Sequence, residues 1–397
     1  MAQLFFTKPV HKNKIILVAN TAWNLWNYRL SLIKRLEKSG YDLVLAAPDD
    51  RFRRYLEQQT NARFVLLKRL SRSSLSPVQN LSCWKELFHL LRAEQPALVL
   101  FFTIKPNILG NLAAAISNTP AIAVVEGLGY SGSIASRWRW LVAPLYRVAL
   151  RKAGFAIFLN EEDRQAFLRL RLVTPGQARM IHGPGVDTGY FRPAGQPENG
   201  FFTFLFSGRL LREKGVETFA EAARRVRKTF PDARFQILGA PDPGNPASLP
   251  LETVLSWQQE GIIAYLGNLD DVRPALAGAN ALVLPSYYRE GVPRSVLEAM
   301  AMGKIILTTD TAGCRDTVHA GQNGYLVPPG NADALAQAMI RILQHTPAER
   351  KAMGNCSLQL AHTVFSDEVV LPQYLELIET MVPPPSAEDN RLPRLRP

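Results

Sequence analysis

Two glutamates eight residues apart, Glu290 and Glu298, are the pair of residues best spaced for chemistry. They lie in the stretch PSYYREGVPRSVLEAMAMG, which follows an apolar run, Ala281–Leu284, that is predicted to be a buried strand. A helix is expected to begin at Pro293 and to end at Gly303, with Glu290 on the preceding loop. Free N–H groups at a helix start can bind an anion, and carboxylates can accept hydrogen bonds from sugar hydroxyls. The stretch therefore predicts a pocket for a sugar joined to a nucleoside diphosphate; the alternative is an ordinary strand–turn–helix with a surface glutamate.

A second stretch, SGRLLREKG, places two cations at the end of another predicted strand. Gly208 would let the backbone approach a ligand closely. Arg209 offers a two-pronged contact to phosphate oxygens, and Lys214 offers a point charge. Cations fixed at this position would stabilise the negative charge that develops when a sugar–diphosphate bond breaks. The alternative is that both side chains are simply solvent-exposed.

The sequence predicts neither a metal ion nor a cofactor. It contains no D-x-D motif and no cluster of His, Asp and Glu with metal-ligand spacing. If a diphosphate leaves, Arg and Lys rather than Mg²⁺ must then balance its charge. The absence of a G-x-S-x-G motif and of a Walker loop disfavours a hydrolase and a P-loop ATPase.

Strand and helix patterns alternate along all 397 residues, which predicts an α/β protein with two doubly wound, Rossmann-like domains facing across a cleft. The clearest linker is PAGQPENG, and it divides the chain. Near the start, Asn20–Asn27 is expected to be a loop and Leu30–Gly40 a helix, and a further helix is expected over Cys83–Glu94. The expected parts are residues 1–192, a linker at 193–200, a second domain at 201–366, a helix at 367–382 and a disordered tail at 383–397.

Positive charge is concentrated in the first half, where residues 1–192 hold 27 Lys and Arg against 12 Asp and Glu. The remaining residues hold 19 against 22. This asymmetry favours an anionic partner, which could be nucleic acid, an anionic lipid surface or a phosphorylated acceptor, over a merely solvated basic face. Arg137–Lys152, with interleaved Trp and Arg, fits either a membrane interface or a core-facing helix with a charged outer face. No nucleic-acid-binding module is recognisable, so nucleic acid is not an expected partner.

Several motifs together resemble a known family. SGRLLREKG, REGVPRSVLEAMAMGKIILTTDTAGCRD and NGYLVPPGNADALA look like the donor domain of retaining glycosyltransferases of family 4, which have the glycosyltransferase-B fold. In the first half, HGPGVDTGYFRP, NEEDRQAF and TIKPNILGNLAAA are similar to bacterial enzymes that extend undecaprenyl-diphosphate-linked sugars, such as N-acetylgalactosaminyl and other hexosyl transferases. The resemblance implies that the helix at 367–382 crosses back to the first domain.

The resemblance also implies roles for individual residues. Catalytic roles fall to Arg209, Lys214 and Glu290. The set expected to bind the donor, a UDP- or GDP-sugar, is Gly208, Arg209, Lys214, Gly239, Leu266, Asn268, Glu290, Gly291, Val292, Ser295 and Glu298. Acceptor-side candidates are Asn24, Arg29, Lys105, Asn107, Glu126 and Gly127. Two departures matter: Asn20–Asn27 replaces the paired glycines that are usual there, and Glu126-Gly127 stands where many relatives have a histidine.

The resemblance thus implies an enzyme, a retaining glycosyltransferase of bacterial surface polysaccharide or glycan biosynthesis. It would transfer a sugar to a lipid-linked saccharide acceptor on undecaprenyl diphosphate, with residues 1–192 binding the acceptor and residues 201–366 the donor. Three scattered cysteines, a short polar start and no long apolar run lead us to expect a cytoplasmic protein, peripheral on the inner face of the cytoplasmic membrane. The alternatives are a UDP-sugar 2-epimerase of the same fold and a non-catalytic protein that binds membrane or nucleic acid.

Overall fold

The computed structural model describes residues 11–71, 74, 76–127, 143–194 and 200–385. Part of the Arg137–Lys152 segment, part of the predicted linker and most of the predicted tail lie outside the described residues. The described residues form two parallel β-sheets with helices on both faces of each. This is the α/β arrangement of two doubly wound domains that the sequence predicts.

The first sheet has the strand order β3-β2-β1-β4-β5-β6-β7, and every described pairing in it is parallel. Its strands are His11–Val18 (β1), Asp42–Ala47 (β2), Arg63–Leu66 (β3), Pro96–Phe102 (β4), Ala121–Val125 (β5), Phe155–Phe158 (β6) and Ala178–Met180 (β7). The helices around it are Ala22–Lys38 (α1), Phe52–Gln59 (α2), Pro77–Glu94 (α3), Asn111–Ser117 (α4), Ala143–Leu150 (α5) and Glu161–Arg169 (α6). A single π-helical turn, Pro106–Gly110, leads into α4.

Successive side chains of β1 point to opposite faces of this sheet, and both faces are buried. Ile15 and Leu17 pack with α1 on one face, whereas Ile16 and Val18 pack with α3 on the other. All four side chains are fully buried. Such continuously apolar strands are expected where helices cover both faces of a parallel sheet.

The second sheet has the order β10-β9-β8-β11-β12-β13, again with parallel pairings. Its strands are Thr203–Ser207 (β8), Arg234–Leu238 (β9), Ala264–Tyr265 (β10), Ala281–Leu284 (β11), Ile305–Thr309 (β12) and Gly324–Val327 (β13). The helices are Val216–Thr229 (α7), Leu251–Gln259 (α8), Arg273–Ala277 (α9), Arg294–Ala301 (α10), Ala332–Gln344 (α11), Pro347–Leu360 (α12) and Asp367–Met381 (α13).

Two helices begin earlier than the sequence predicts. The segment predicted to be a loop, Asn20–Asn27, is mostly the first two turns of α1, because the Thr21 hydroxyl accepts a hydrogen bond from the Asn24 N–H at 3.0 Å and caps the helix. Helix α3 begins at Pro77 rather than at Cys83, with Ser76 as its cap. Pro293 is the capping residue of α10 rather than its first helical residue.

Helix α13 packs on the first domain although it follows the second domain in sequence. It contacts α1, and the Tyr41 hydroxyl donates a hydrogen bond to the Val382 carbonyl at 2.8 Å. The chain arrives there through a parallel bridge between Val186 and Ser366. The final helix therefore ties the two domains together beside the cleft.

Candidate active site

The carboxyl ends of both sheets face the same cleft, as expected for ligand sites in parallel sheets. Glu126 follows β5 and Asn160 follows β6 in the first domain. Arg209 follows β8 and Glu290 follows β11 in the second domain. The Asn160 amide lies 3.4 Å from the Glu290 carbonyl oxygen, so the two edges meet directly.

The two predicted catalytic cations each contact a carboxylate. The Lys214 ammonium forms an ion pair with Glu290, and the Ser286 hydroxyl donates to the same carboxylate at 3.0 Å. Arg209 forms an ion pair with Asp242, at 2.5 Å between Nη1 and Oδ2. Burial opposes the charge on Arg209, but Asp242 more than offsets this effect, and the pKa of the guanidinium lies above its ordinary value. The charges of Arg209, Lys214 and Glu290 all act on the Glu213 carboxylate, so these three of the four residues on which the sequence prediction depends lie near one another.

The fourth residue, Glu298, lies one turn into α10, where Arg294 donates to its carboxylate at 2.8 Å. Burial raises the pKa of Glu298, and the Arg294 charge partly opposes this effect. Ser295 lies in the first turn of the same helix. All three side chains belong to the helix whose start the sequence analysis assigned to an anion site.

Glycine turns bring the backbones at the ends of β8, β9 and β10 into contact. Gly239 has a φ of +143°, and a Cβ added there would lie 1.8 Å from the Gly208 carbonyl oxygen. The Gly239 N–H donates to the Gly267 carbonyl at 2.8 Å. Leu266 and Asn268 flank Gly267, so these two residues of the predicted donor-binding set lie beside Gly239, a third member of that set. Tyr265, which sequence reasoning missed, donates its hydroxyl to the Gly239 carbonyl at 2.8 Å.

The acceptor-side candidates divide into two groups. In the first group, Glu126 accepts from Asn24 Nδ2 at 3.1 Å and forms an ion pair with Arg29. Arg29 is 1% exposed and also donates to the Tyr374 hydroxyl at 3.3 Å. Asn24 and Arg29 are thus buried beside Glu126 and hold its carboxylate, and their acceptor-side role stays a prediction. Gly127, with a φ of +107°, lies against Gly291 of the second domain.

The second group, Lys105 and Asn107, is engaged in local structure. The Lys105 ammonium donates to the carbonyls of Ser71 and Ser74. Asn107 is 1% exposed and donates to the Val124 carbonyl at 2.8 Å. These contacts fix a loop and the π-helical turn; Asn107 is enclosed, whereas Lys105 stays partly exposed, and their acceptor-side role stays a prediction.

Three further residues of the site escaped the sequence analysis: Asp242, Ser286 and Tyr28. Asp242 lies in a long irregular loop. Ser286 lies two residues after the strand β11, and this position at a strand end could have pointed to it. Tyr28 lies on α1 with the Arg294 guanidinium 5.9 Å from its ring centroid. Burial raises the pKa of the Tyr28 phenol, and the nearby Glu290 carboxylate adds to this effect. No pattern in the sequence signals a tyrosine in this position.

Among the described residues, no group of three or more His, Cys, Asp and Glu side chains could hold a metal ion. The helices within those residues also include none that is long and apolar enough to cross a bilayer.

Two protein families match successive parts of the chain. Residues 25–184 match the family described as Glycosyl transferase 4-like domain. Residues 202–345 match the family described as Glycosyl transferases group 1. The second match contains every residue predicted to bind the donor.

Two enzymes of known activity are similar over most of their length. The chain is 26% identical over 386 residues to N,N'-diacetylbacillosaminyl-diphospho-undecaprenol alpha-1,3-N-acetylgalactosaminyltransferase of Campylobacter jejuni, covering 93% of this chain and 99% of that enzyme. It is 26% identical over 306 residues to UDP-Gal:alpha-D-GlcNAc-diphosphoundecaprenol alpha-1,3-galactosyltransferase of Escherichia coli, covering 72% and 76%.

Solved structures show the same fold. HepE of Anabaena in complex with UDP superposes with a TM-score of 0.74 at 18% identity, covering 92% of this chain and 100% of that chain. The pneumococcal O-GlcNAc transferase GtfA in complex with UDP and GlcNAc gives a TM-score of 0.70 at 13% identity, covering 94% and 99%. The predicted architecture of two Rossmann-like domains is therefore confirmed.

Proposed function

We propose that this chain, whose two parts match a glycosyltransferase 4-like domain and the group 1 glycosyltransferases, transfers a sugar from a UDP-sugar to a saccharide on undecaprenyl diphosphate. The pathway would be the synthesis of a bacterial surface polysaccharide or glycan. The names of the two similar enzymes support this acceptor. The observation that carries the proposal is the convergence of Arg209, Lys214 and Glu290 where the two sheets meet. A GDP-sugar is the alternative donor.

In this proposal the second domain holds the donor. Arg209 and Lys214 bind the diphosphate, Glu298 accepts hydrogen bonds from the ribose, and Glu290 with the Gly291 backbone holds the sugar. Negative charge grows on the departing diphosphate as the glycosidic bond breaks, so the two fixed cations stabilise the transition state more than the bound donor. Their charges take the part that a divalent cation would otherwise play, and we expect activity to persist in EDTA.

Transfer would retain the configuration of the sugar. The acceptor hydroxyl attacks the anomeric carbon from the face that the diphosphate leaves, and a phosphate oxygen removes the hydroxyl proton. No enzyme nucleophile is then needed. Glu126 supplies the carboxylate on the acceptor side, because Asn24 and Arg29 hold it at the end of β5 opposite the donor domain.

The proposal is tested by nucleotide release with and without acceptor. Purified protein should release UDP from a UDP-sugar only when an undecaprenyl-diphosphate-linked saccharide is added. Glu290→Gln and Lys214→Ala should each lower kcat at least ~100-fold, because each removes charge from the reacting end of the donor site. Arg212→Ala is the matched control, since Arg212 lies in the same turn but pairs with Glu217 on the exposed side. Normal turnover in both site variants would refute the assignment.

The same assay separates the two alternatives. A UDP-sugar 2-epimerase would release UDP without acceptor. A non-catalytic binding protein would release none in either condition. A panel of nucleotide sugars in thermal-shift measurements identifies the donor, since a ligand that binds only the native state raises the unfolding midpoint.

We further propose that the protein lies peripherally on the cytoplasmic face of the membrane, through the face formed by α3, α4 and α5. These helices contact one another in succession. They carry five exposed large apolar side chains, namely Val78, Leu81, Ile116, Leu145 and Val148. Arg147, Arg151 and Lys152 are exposed beside the last two, a combination suited to anionic headgroups. Trp138 and Trp140 of the predicted interface segment lie outside the described residues.

Flotation with vesicles tests this placement. The protein should float with vesicles containing phosphatidylglycerol and less so with phosphatidylcholine alone, and added salt should weaken binding. The double substitution Leu145→Ser and Val148→Ser should reduce the floated fraction several-fold. Leu255→Ser, which changes an exposed apolar residue of the second domain, is the control. Equal flotation of all three proteins would exclude this face.

A further inference from the structure

The loop that carries Glu290 is packed against the other domain by backbone contacts that leave no space. A Cβ added at Gly291 would lie 2.6 Å from the Glu126 carbonyl oxygen, across the cleft. On its own side, a Cβ added at Gly313 would lie 1.5 Å from the Gly291 carbonyl oxygen. The loop is therefore confined between the end of β5 in the first domain and the turn after β12 in the second.

Polar contacts from the start of α6 hold the same loop. Asn160 donates through Nδ2 to the carbonyls of Glu290 and Gly291, at 3.4 and 3.3 Å. The same nitrogen lies 3.0 Å from Asp163 Oδ2, and the Asn160 side-chain oxygen caps α6 by accepting from the Asp163 N–H at 2.8 Å. One side chain thus begins a helix in the first domain and binds the catalytic loop of the second.

An ion pair completes this attachment. Arg289, immediately before Glu290, lies 3.0 Å from Asp163 Oδ1 and 3.1 Å from Glu162 Oε1. The Asp163 side chain is completely buried, whereas Glu162 is partly exposed. Loss of Arg289 would leave the fully buried Asp163 carboxylate without its cation, which is unfavourable. Separation of the domains would therefore break a strong contact at the residue next to the catalytic carboxylate.

Together these contacts point to a role that differs from donor binding. The residues assigned to the diphosphate and the ribose lie in the second domain, and their ion pairs do not involve Asn160 or Asp163. The position of the Glu290 loop, in contrast, does depend on them. We infer that Asn160, Asp163 and Arg289 form an interdomain clasp that places the Glu290 loop for sugar transfer only when the two domains are closed.

This inference rests on the proposed function for its kinetic consequence. In the clasp, Asn160, Asp163 and Arg289 are positioning residues, because they act on the sugar through the loop. An enzyme whose donor site is completed by the acceptor domain would waste less donor by hydrolysis, since the sugar site forms only in the closed arrangement.

The test compares Arg289→Gln, Asp163→Asn and the double variant with the wild type. We expect UDP affinity to change less than ~3-fold, because Arg209, Lys214 and Glu298 remain. We expect kcat to fall at least ~30-fold in each single variant and no further in the double variant, since both substitutions break the same contact. Arg289→Lys should restore part of the rate. Arg51→Gln is the control, because Arg51 also crosses the cleft, to Asp270, through an exposed pair.

A second readout does not need turnover. Hydrogen exchange of the amides from Ser286 to Val292 should be faster in Arg289→Gln than in the wild type with UDP bound, and unchanged in Arg51→Gln. Three outcomes would each overturn the clasp. They are additive losses of kcat in the double variant, a fall in UDP affinity as large as the fall in kcat, and unaltered hydrogen exchange of the loop amides in Arg289→Gln. If the wild type transfers no sugar but the exchange difference is seen, the clasp stands and the proposed function fails. If Asp163→Asn does not fold, Arg289→Gln and Arg289→Lys carry the test.

Discussion

Charged side chains of the donor site occur as neighbouring pairs of opposite sign. Arg209 contacts Asp242, Lys214 contacts Glu290, and Arg294 contacts Glu298. The sequence pointed to four residues because each lies near a recognisable strand end or helix start. They are Arg209, Lys214, Glu290 and Glu298. Their partners could not be predicted in the same way, because Asp242 reaches Arg209 only through the fold of an irregular loop.

A residue far from the cleft gives a prediction on stability. Lys304 is 2% exposed, its ammonium donates only to the Ala277 carbonyl among the contacts of the described residues, and burial lowers its pKa from 10.5 to about 8. The unfolded chain therefore binds more protons between these two values, so the free energy of unfolding should rise as the pH is raised from about 8 to 10.5.

Substitution of Lys304 tests this pH dependence. At pH 7 the charged lysine is buried at a cost, and Lys304→Met should raise the free energy of unfolding by about 1–3 kcal/mol. The same substitution should abolish the rise above pH 8. Lys351→Met changes an exposed lysine and serves as the control in chemical denaturation. A stability curve of the Lys304 variant that follows that of the wild type would contradict the prediction.

At the scale of elements, strands were predicted more accurately than helix starts. The strand Ala281–Leu284 is found with the predicted bounds, because a short apolar run buried on both faces has few alternatives. Helix α1 begins eight residues before its predicted start because a capping threonine, rather than apolar spacing, sets its first turn. Helix α12 was not predicted, although Thr346 and Glu349 form a capping box at its start.

The turn after β12 yields a prediction on the Glu290 loop. Gly313 has a φ of +75°, and any Cβ there would meet the Gly291 carbonyl. Gly313→Ala should therefore lower both kcat and stability, since the loop must move away. Gly321→Ala is the matched control, because Gly321 has a φ of +79° with open space around it and so isolates the cost of the backbone conformation. Equal effects of the two substitutions on kcat would show that the close approach of residue 313 to the Gly291 carbonyl has no effect on the rate.

At the scale of the whole molecule, one polar network joins the last helix to the acceptor side of the cleft. Arg29 on α1 contacts Glu126 at the end of β5 and Tyr374 on α13, and its guanidinium lies 4.5 Å from the centroid of the Phe102 ring. Residues separated by 345 positions meet here. No local pattern could have predicted this meeting, because it depends on how the final helix crosses to the first domain.

Tyr374→Phe tests whether this network supports function. Loss of the hydroxyl removes one partner of a buried charged donor, so the free energy of unfolding should fall by about 1–3 kcal/mol. The KM for the acceptor should rise as Arg29 loses its support, whereas UDP affinity should stay the same. Denaturation and initial-rate measurements check both effects. A variant with reduced stability but an unchanged acceptor KM would limit the network to a structural role.

If the proposed function holds, the pairing of charges in the donor site should also decide which phosphate compounds are turned away. Cells contain abundant orthophosphate and ATP, and unpaired cations would attract both. Here each cation already has a neutralising neighbour, so an anion alone gains little by entering. A nucleotide sugar would separate the ion pairs, but it offers phosphate oxygens to the cations and hydroxyl groups to the carboxylates. Both members of each pair would then have a new partner.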